Sequence, residues 1–131
     1  MTAQSDVAAA LFARVDSLPS FTKLWPRKGA RQPAGEHVRV AWVPNDNLPT
    51  DLDSDVMQRR GFVVLTLVSP LSEYQIEAEA KAGTIAAHFP RALRLSSGSA
   101  LVQIVGHSVR QAREEEGRWE TPVWIEYRSI A

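Results

Sequence analysis

The chain has 131 residues, enough for one domain that buries roughly two-thirds of its unfolded surface. Apolar residues make up 44% and charged residues 23%, which excludes a chain disordered throughout. Fifteen Lys and Arg balance fifteen Asp and Glu, so the basic excess of a dedicated nucleic-acid binder is missing, and with no cysteine there is no disulfide, zinc–thiolate centre or thiol nucleophile.

The first six residues, Met1 to Asp6, put no basic region ahead of an apolar run, so they do not read as a signal peptide. Val7, Leu11 and Val15 then recur at four-residue spacing, with Ala8, Phe12 and Leu18 alongside. This is the stripe of an amphipathic helix, predicted over Asp6 to Leu18, with Ser5 or Asp6 as its cap and Pro19 just past its end. Phe21 to Glu36 is punctuated by Pro26, Gly29, Pro33 and Gly35 and reads as an irregular connection carrying Trp25, Arg27, Lys28 and Arg31. Val38 to Val43 reads as a strand that Pro44-Asn45 ends, because proline cannot donate to a ladder.

Pro44 to Gly61 is polar and rich in aspartate, and is expected to be a long exposed loop with fast amide exchange. Phe62 to Val68 is the clearest strand, apolar on both faces. A second helix starts near Ser69-Pro70 or Ser72, where Ser72 and Gln75 have the form of a capping box, and Pro90 stops it. Leu71, Tyr74, Ala78, Ile85 and Phe89 would line one of its sides, and Ile76, Ala80, Gly83 and Ala87 another. Ala100 to His107 and Trp119 to Arg128 read as two further strands, joined as a hairpin by the charged turn Arg110 to Arg118. The expected fold is therefore α+β: a small mixed or antiparallel sheet of about four strands with two main helices on one face, in a single domain over 1–131. No apolar stretch reaches the length needed to span a membrane.

Two helices cover one sheet face. The strand Phe62 to Val68 nevertheless offers Phe62, Val64 and Val68 on one side and Val63, Leu65 and Leu67 on the other. Either long loops fold back over the second face or a partner subunit covers it.

No catalytic, cofactor-binding or metal-binding residue stands out. Asp51, Asp53 and Asp55 alternate like the opening of a calcium loop, but the glycine and closing glutamate that such a loop needs are replaced by Val56 and Phe62. His37, His88 and His107 have no partner at ligand spacing and read as structural or exposed. Ser96-Ser97-Gly98-Ser99 is a turn and not a nucleophile elbow. Arg27, Lys28 and Arg31 beside Trp25 form a basic cluster with an aromatic, as single-stranded nucleic acid would require, yet the balanced charge favours solvated cations around a packed tryptophan. Trp124 alternates out of the set Val123, Ile125 and Tyr127, and so stands on the more polar face with Glu126 and Arg128. Trp124 with Arg59 and Arg60, and the loop residues Asp51, Asp53 and Asp55, are the candidates for a protein–protein surface.

The order of segments resembles the small tail-completion or tail-terminator proteins of long-tailed bacteriophages. The residues that carry the resemblance are the leading helix, Trp25-Pro26 with Lys28 and Pro33, and the strand ending at Pro44-Asn45. They continue with Arg60-Gly61 opening the buried strand, the helix ending at His88-Phe89, and the final strand Thr121-Pro122-Val123-Trp124-Ile125-Glu126-Tyr127. The resemblance implies a structural subunit and no enzyme, without cofactor. It implies self-assembly into a ring, commonly a hexamer, that ends the tail tube and meets the head connector, in a virion tail assembled in the host cytoplasm. Within the ring the Pro44 to Gly61 loop would touch a neighbouring subunit or the tail tube, with no sequence-specific nucleic-acid contact and no membrane. Two other readings remain open on the residues alone. One is a dimeric α+β module that binds a small ligand between helix and sheet. The other is an enzyme that uses Glu73, Glu77 or His88.

Overall fold

The computed structural model describes residues 3–26, 35–49, 57–72, 74–98 and 100–130. The stripe of Val7, Leu11 and Val15 lies on helix α1 (Ala3–Asp16), where all three are fully buried. Strand β1 (Lys23–Leu24) follows, then β2 (His37–Pro49) and β3 (Met57–Pro70). Helix α2 (Gln75–Ala87) leads to β4 (Arg94–Ser97), β5 (Ala100–Val109), β6 (Arg113–Glu115) and β7 (Arg118–Ile130).

The strands form one seven-stranded sheet in the order β1-β2-β3-β7-β5-β4, with β6 attached to β7. Among the described residues only the β1–β2 pairing is parallel and the others are antiparallel, so the sheet is mixed. Its centre is the long pairing of β3 with β7, which puts Leu65 opposite Val123 and Val63 opposite Ile125. One face carries Val38 and Val40 from β2, Val63, Leu65 and Leu67 from β3, and Val123, Ile125 and Tyr127 from β7. Both helices pack on that face and close one hydrophobic cluster, with Ala82, Ile85 and Ala86 from α2 and Leu11 and Val15 from α1. At its rim the Trp42 indole N–H donates to the Tyr127 hydroxyl at 2.8 Å, and Phe12 meets Trp25 and Trp42 edge-on.

The sheet has seven strands where about four were expected, and the differences have separate causes. Pro44 does not end β2: the strand runs on to Pro49, and β3 begins at Met57. Most of the expected Pro44 to Gly61 loop is therefore hairpin, and only residues 50–56 between the two strands lie outside the described residues. Proline is tolerated here because β1 pairs only with Val38 and Arg39, so among the described residues the rest of β2 is a sheet edge, and the register shifts between Pro44 and Asn47. Strands β4 and β6 are short and polar, and β6 is exposed throughout, so no apolar alternation marks them. The turn from β6 to β7 has Glu116 at φ 49° and Gly117 at φ 77°, the positive pair that a tight two-residue hairpin needs.

Helix α2 also departs from its expected start. Tyr74 is its N-cap and makes no side-chain cap bond. The Gln75 amide donates to Glu79 Oε2 at 3.0 Å instead of closing a box with Ser72. The buried stripe is Ala78, Ala82, Ile85 and Ala86, continued by Phe89, while Tyr74 turns outward at 75% exposure.

The β4–β5 turn meets α1 closely. Gly98 has φ +57°, and a Cβ there would stand 2.6 Å from Oδ2 of Asp6, a residue only 6% exposed in the first turn of α1. Gly98→Ala is expected to cost about 2 kcal/mol, part from the left-handed backbone and part from the contact. In an Asp6→Ala background the cost should fall to about 1 kcal/mol, the backbone part alone, as read by a double-mutant cycle of urea melts. Equal costs in both backgrounds would show that the contact relaxes freely.

Candidate interaction surface

The sheet's second face is the alternating set of the same strands. It carries Arg39, Ala41 and Val43 from β2, Arg60, Phe62, Val64 and Thr66 from β3, and Glu120, Pro122, Trp124 and Glu126 from β7. Among the described residues neither helix contributes to it, since both seal the opposite face. Val43 is 44% exposed, and Phe62, Val64 and Trp124 are half-buried, so the middle of this face is apolar and open.

Trp124 organises its centre. Its ring meets Phe62 edge-on at 5.2 Å between centroids, and the Arg110 guanidinium carbon stands over it at 5.0 Å. Arg110 reaches this position because its backbone N–H bonds to Pro122 O at 2.8 Å, which ties the end of β5 to β7. Two residues on, Ala112 N–H donates to Glu79 Oε2 at 2.9 Å, so α2 holds the connection to β6 from below. That backbone N–H, with the Gln75 amide, keeps the Glu79 carboxyl below the usual carboxylate range. Arg39 closes the far side by an ion pair with Glu120 at 2.7 Å. Between these groups lies a hollow of about 510 Å³ lined by Arg39, Thr66, Arg110, Gln111, Arg113 and Trp124, among others. A smaller one of about 240 Å³ adjoins it beyond Arg110 and Trp124, beside Phe62, His107 and Glu126.

Of the residues singled out from the sequence, Trp124 lies at the centre of this face and Arg60 lies on its rim, exposed and in register with Arg128. Arg59 is in β3 opposite Ser129. Asp51, Asp53 and Asp55 lie outside the described residues, as do Arg27, Lys28 and Arg31. The sequence offered Phe62 only as part of a face that loops or a partner would cover, and gave no sign of Arg110, Arg113 or the Arg39–Glu120 pair. Phe62 and Trp124 shared a signal, since each alternates out of an otherwise buried strand. Arg110 had none, because only the pairing of β5 with β7 brings it over the indole.

The histidines have structural partners. His37 is fully buried with Nδ1 bonded to Gly35 O at 2.9 Å, and His107 Nδ1 bonds Phe89 O at 3.0 Å. His88 caps α2 and touches both Ser17 Oγ at 2.8 Å and Arg14 O at 3.1 Å through Nε2. The Ser17 hydroxyl donates to Arg14 O at 2.7 Å, so His88 Nε2 meets Ser17 as a donor, the reverse of what a base abstracting that proton requires. Glu77 is exposed on α2, and Glu73 lies outside the described residues. Among the described residues no three His, Asp or Glu gather as a metal site, and no helix is long and apolar enough to cross a membrane.

Burial, and after it the Arg14 cation, hold the His88 imidazole below its usual value of 6.5. The folded state then binds fewer protons than the unfolded chain between pH 6.5 and that lowered value. Stability is expected to fall as pH drops through this window and to level off below it. Urea midpoints from pH 7.5 to pH 5 check this, and His88→Gln should flatten the profile. An unchanged slope in that variant would assign the effect elsewhere.

A family model for phage tail terminator proteins matches residues 6–127. The chain belongs to that family. Its role is therefore structural, in the tail of a phage or phage-like particle. No curated protein matches the chain. Among solved structures, one chain at 23% identity superposes with a TM-score of 0.74, over 96% of this chain and 94% of the other. A chain from the virion of a native gene transfer agent particle superposes with a TM-score of 0.64 at 14% identity, over 99% and 98% of the two. At these identities the two structures speak to the fold of the tail terminator chain, and the family match to its role.

Proposed function

We propose that copies of this tail terminator chain close into a ring, commonly of six, at the head-proximal end of the tail. There the ring stops growth of the tail tube and offers a surface to the head connector. The observation that carries this reading is the sheet face around Trp124: its apolar centre has a charged rim, the make-up of a protein–protein patch, among the described residues neither helix covers it, and Val43, Phe62, Val64 and Trp124 keep exposed surface there. A balanced net charge suits a protein that must contact many copies of itself. Assembly would take place in the host cytoplasm, beside the growing tube.

The test is removal of the protein from a producing strain, with tails imaged by electron microscopy. Tubes of unregulated length without heads are the expected result, restored by the wild-type chain supplied in trans. Tails of normal length joined to heads in its absence would overturn the proposal. Particle preparations should also show several copies per tail at one end only.

A further inference from the structure

Strands β5 and β6 follow one another along the same edge of β7, but not in one register. Val109 stands opposite Val123, and Arg113 stands opposite Glu120. Three residues, 110–112, thus fill the space that β7 spans with two, Thr121 and Pro122. The extra residue makes a β-bulge, which re-aims side chains and takes a backbone group out of the ladder. Both effects are present. Arg110, Gln111 and Arg113 all line the larger hollow of the open face, where strict alternation would send every second residue to the other side. Ala112 between them is only 4% exposed.

At one end of the bulge the Arg110 N–H still bonds Pro122 O, at 2.8 Å. At the other, the Ala112 N–H donates to Glu79 Oε2 at 2.9 Å, on helix α2, whose buried stripe packs on the opposite face of the sheet. Gln75, one turn earlier on α2, donates to the same oxygen at 3.0 Å and steadies the carboxylate. Arg110 depends on this hold. A cation–π contact at the surface returns less than an arginine loses in side-chain entropy when it is fixed, so the 5.0 Å contact with Trp124 does not suffice alone. The bond from Arg110 Nε to Ser108 Oγ, 3.4 Å long, adds little. Arg110 lines both hollows, and so stands as the partition between them with Trp124 beneath it.

We infer that Glu79, on the closed side of the sheet, is a positioning residue for the open side: it holds the bulge at 110–112 and so keeps Arg110 over Trp124 as the partition between the two hollows. The consequence for assembly rests on the ring reading, in which this face meets a neighbour; the positioning itself is a property of the single chain. Both bonds to Glu79 fall on Oε2, so one acceptor oxygen at the right reach is enough, and a charge is not required.

Nuclear magnetic resonance of the purified full chain tests this through two readouts: the upfield ring-current shift of the Arg110 side-chain protons and the exchange rate of the Ala112 amide. Glu79→Gln keeps an acceptor oxygen at full reach and should keep both the shift and the slow exchange. Glu79→Asp keeps the charge but stops one methylene short, and Glu79→Ala removes the acceptor. Both should lose the shift and speed Ala112 exchange at least about tenfold, while the amides of the β3–β7 ladder stay protected. A role confined to helix stability would lower the melting temperature and leave the Arg110 shift in place. A shift that persists in Glu79→Ala, or that survives in Glu79→Asp and fails in Glu79→Gln, overturns the positioning role. Tails built with Glu79→Ala should have unregulated length. Regulated tails from a variant whose Arg110 has left Trp124 would overturn the part of this face in assembly and leave the positioning role standing.

Discussion

Ile125→Ala is expected to destabilise the protein by about 3–4 kcal/mol and to lower Tm by about 10 °C. Ile125 is fully buried in β7, the strand that β3 and β5 flank on either side. It stands opposite Val63 in one neighbour and opposite His107 in the other. Truncation removes the transfer free energy of three carbon groups and leaves a void. The surrounding sheet cannot close on that void, because backbone ladders on both sides fix the strand. Thermal and urea melts of the purified variant check this, and a cost under about 1 kcal/mol would mean that the helices do not seal this face.

The same strand shows why the core was legible in the sequence and the sheet's outline was not. Val123, Ile125 and Tyr127 alternate with Trp124 and Glu126, and the structure buries the first set completely. Periodicity encodes burial directly: four-residue spacing gives α1 and alternation gives β7, while β3 follows from its unbroken apolar run. Strand β6, three exposed residues Arg113–Glu115, has no pattern to find; it exists because the Glu116–Gly117 turn aligns it with β7. Proline misled at Pro44 because its meaning depends on neighbours. It ends a central strand but is tolerated on an edge, and position in a sheet is a tertiary fact.

The candidate surface was legible to a similar depth. Trp124 could be placed on the outer face from its own alternation. Its partners could not. Phe62 reaches it because β3 and β7 pair with Phe62 opposite Glu126, two residues along and on the same face as the tryptophan's own partner Val64. Arg110 lies over it because β5 returns alongside β7 and Glu79 holds the following residues. A cluster built from three strands and a turn has no trace in any one of them.

Trp124→Ala is expected to fold and to fail in assembly. The side chain is half-buried, so its removal loses an edge-on contact with Phe62 and the cation–π contact with Arg110 while the core stays intact. About 1–2 kcal/mol of stability should go, well short of the Ile125→Ala cost one position away. The effect on assembly is larger, because the indole is the apolar centre of the open face and also fixes the direction of Arg110. A ring repeats each contact at every interface, so a loss of about 2 kcal/mol per interface multiplies into near absence of closed rings. Melting of the variant and imaging of its tails separate the possibilities. A soluble, cooperatively folded Trp124→Ala protein with tails of unregulated length fits an interface role. Normal tails from a normally folded variant would take Trp124 out of the interface. A variant that cannot fold would mean that the second sheet face is covered in the free protein, leaving nothing open for a neighbour to bind.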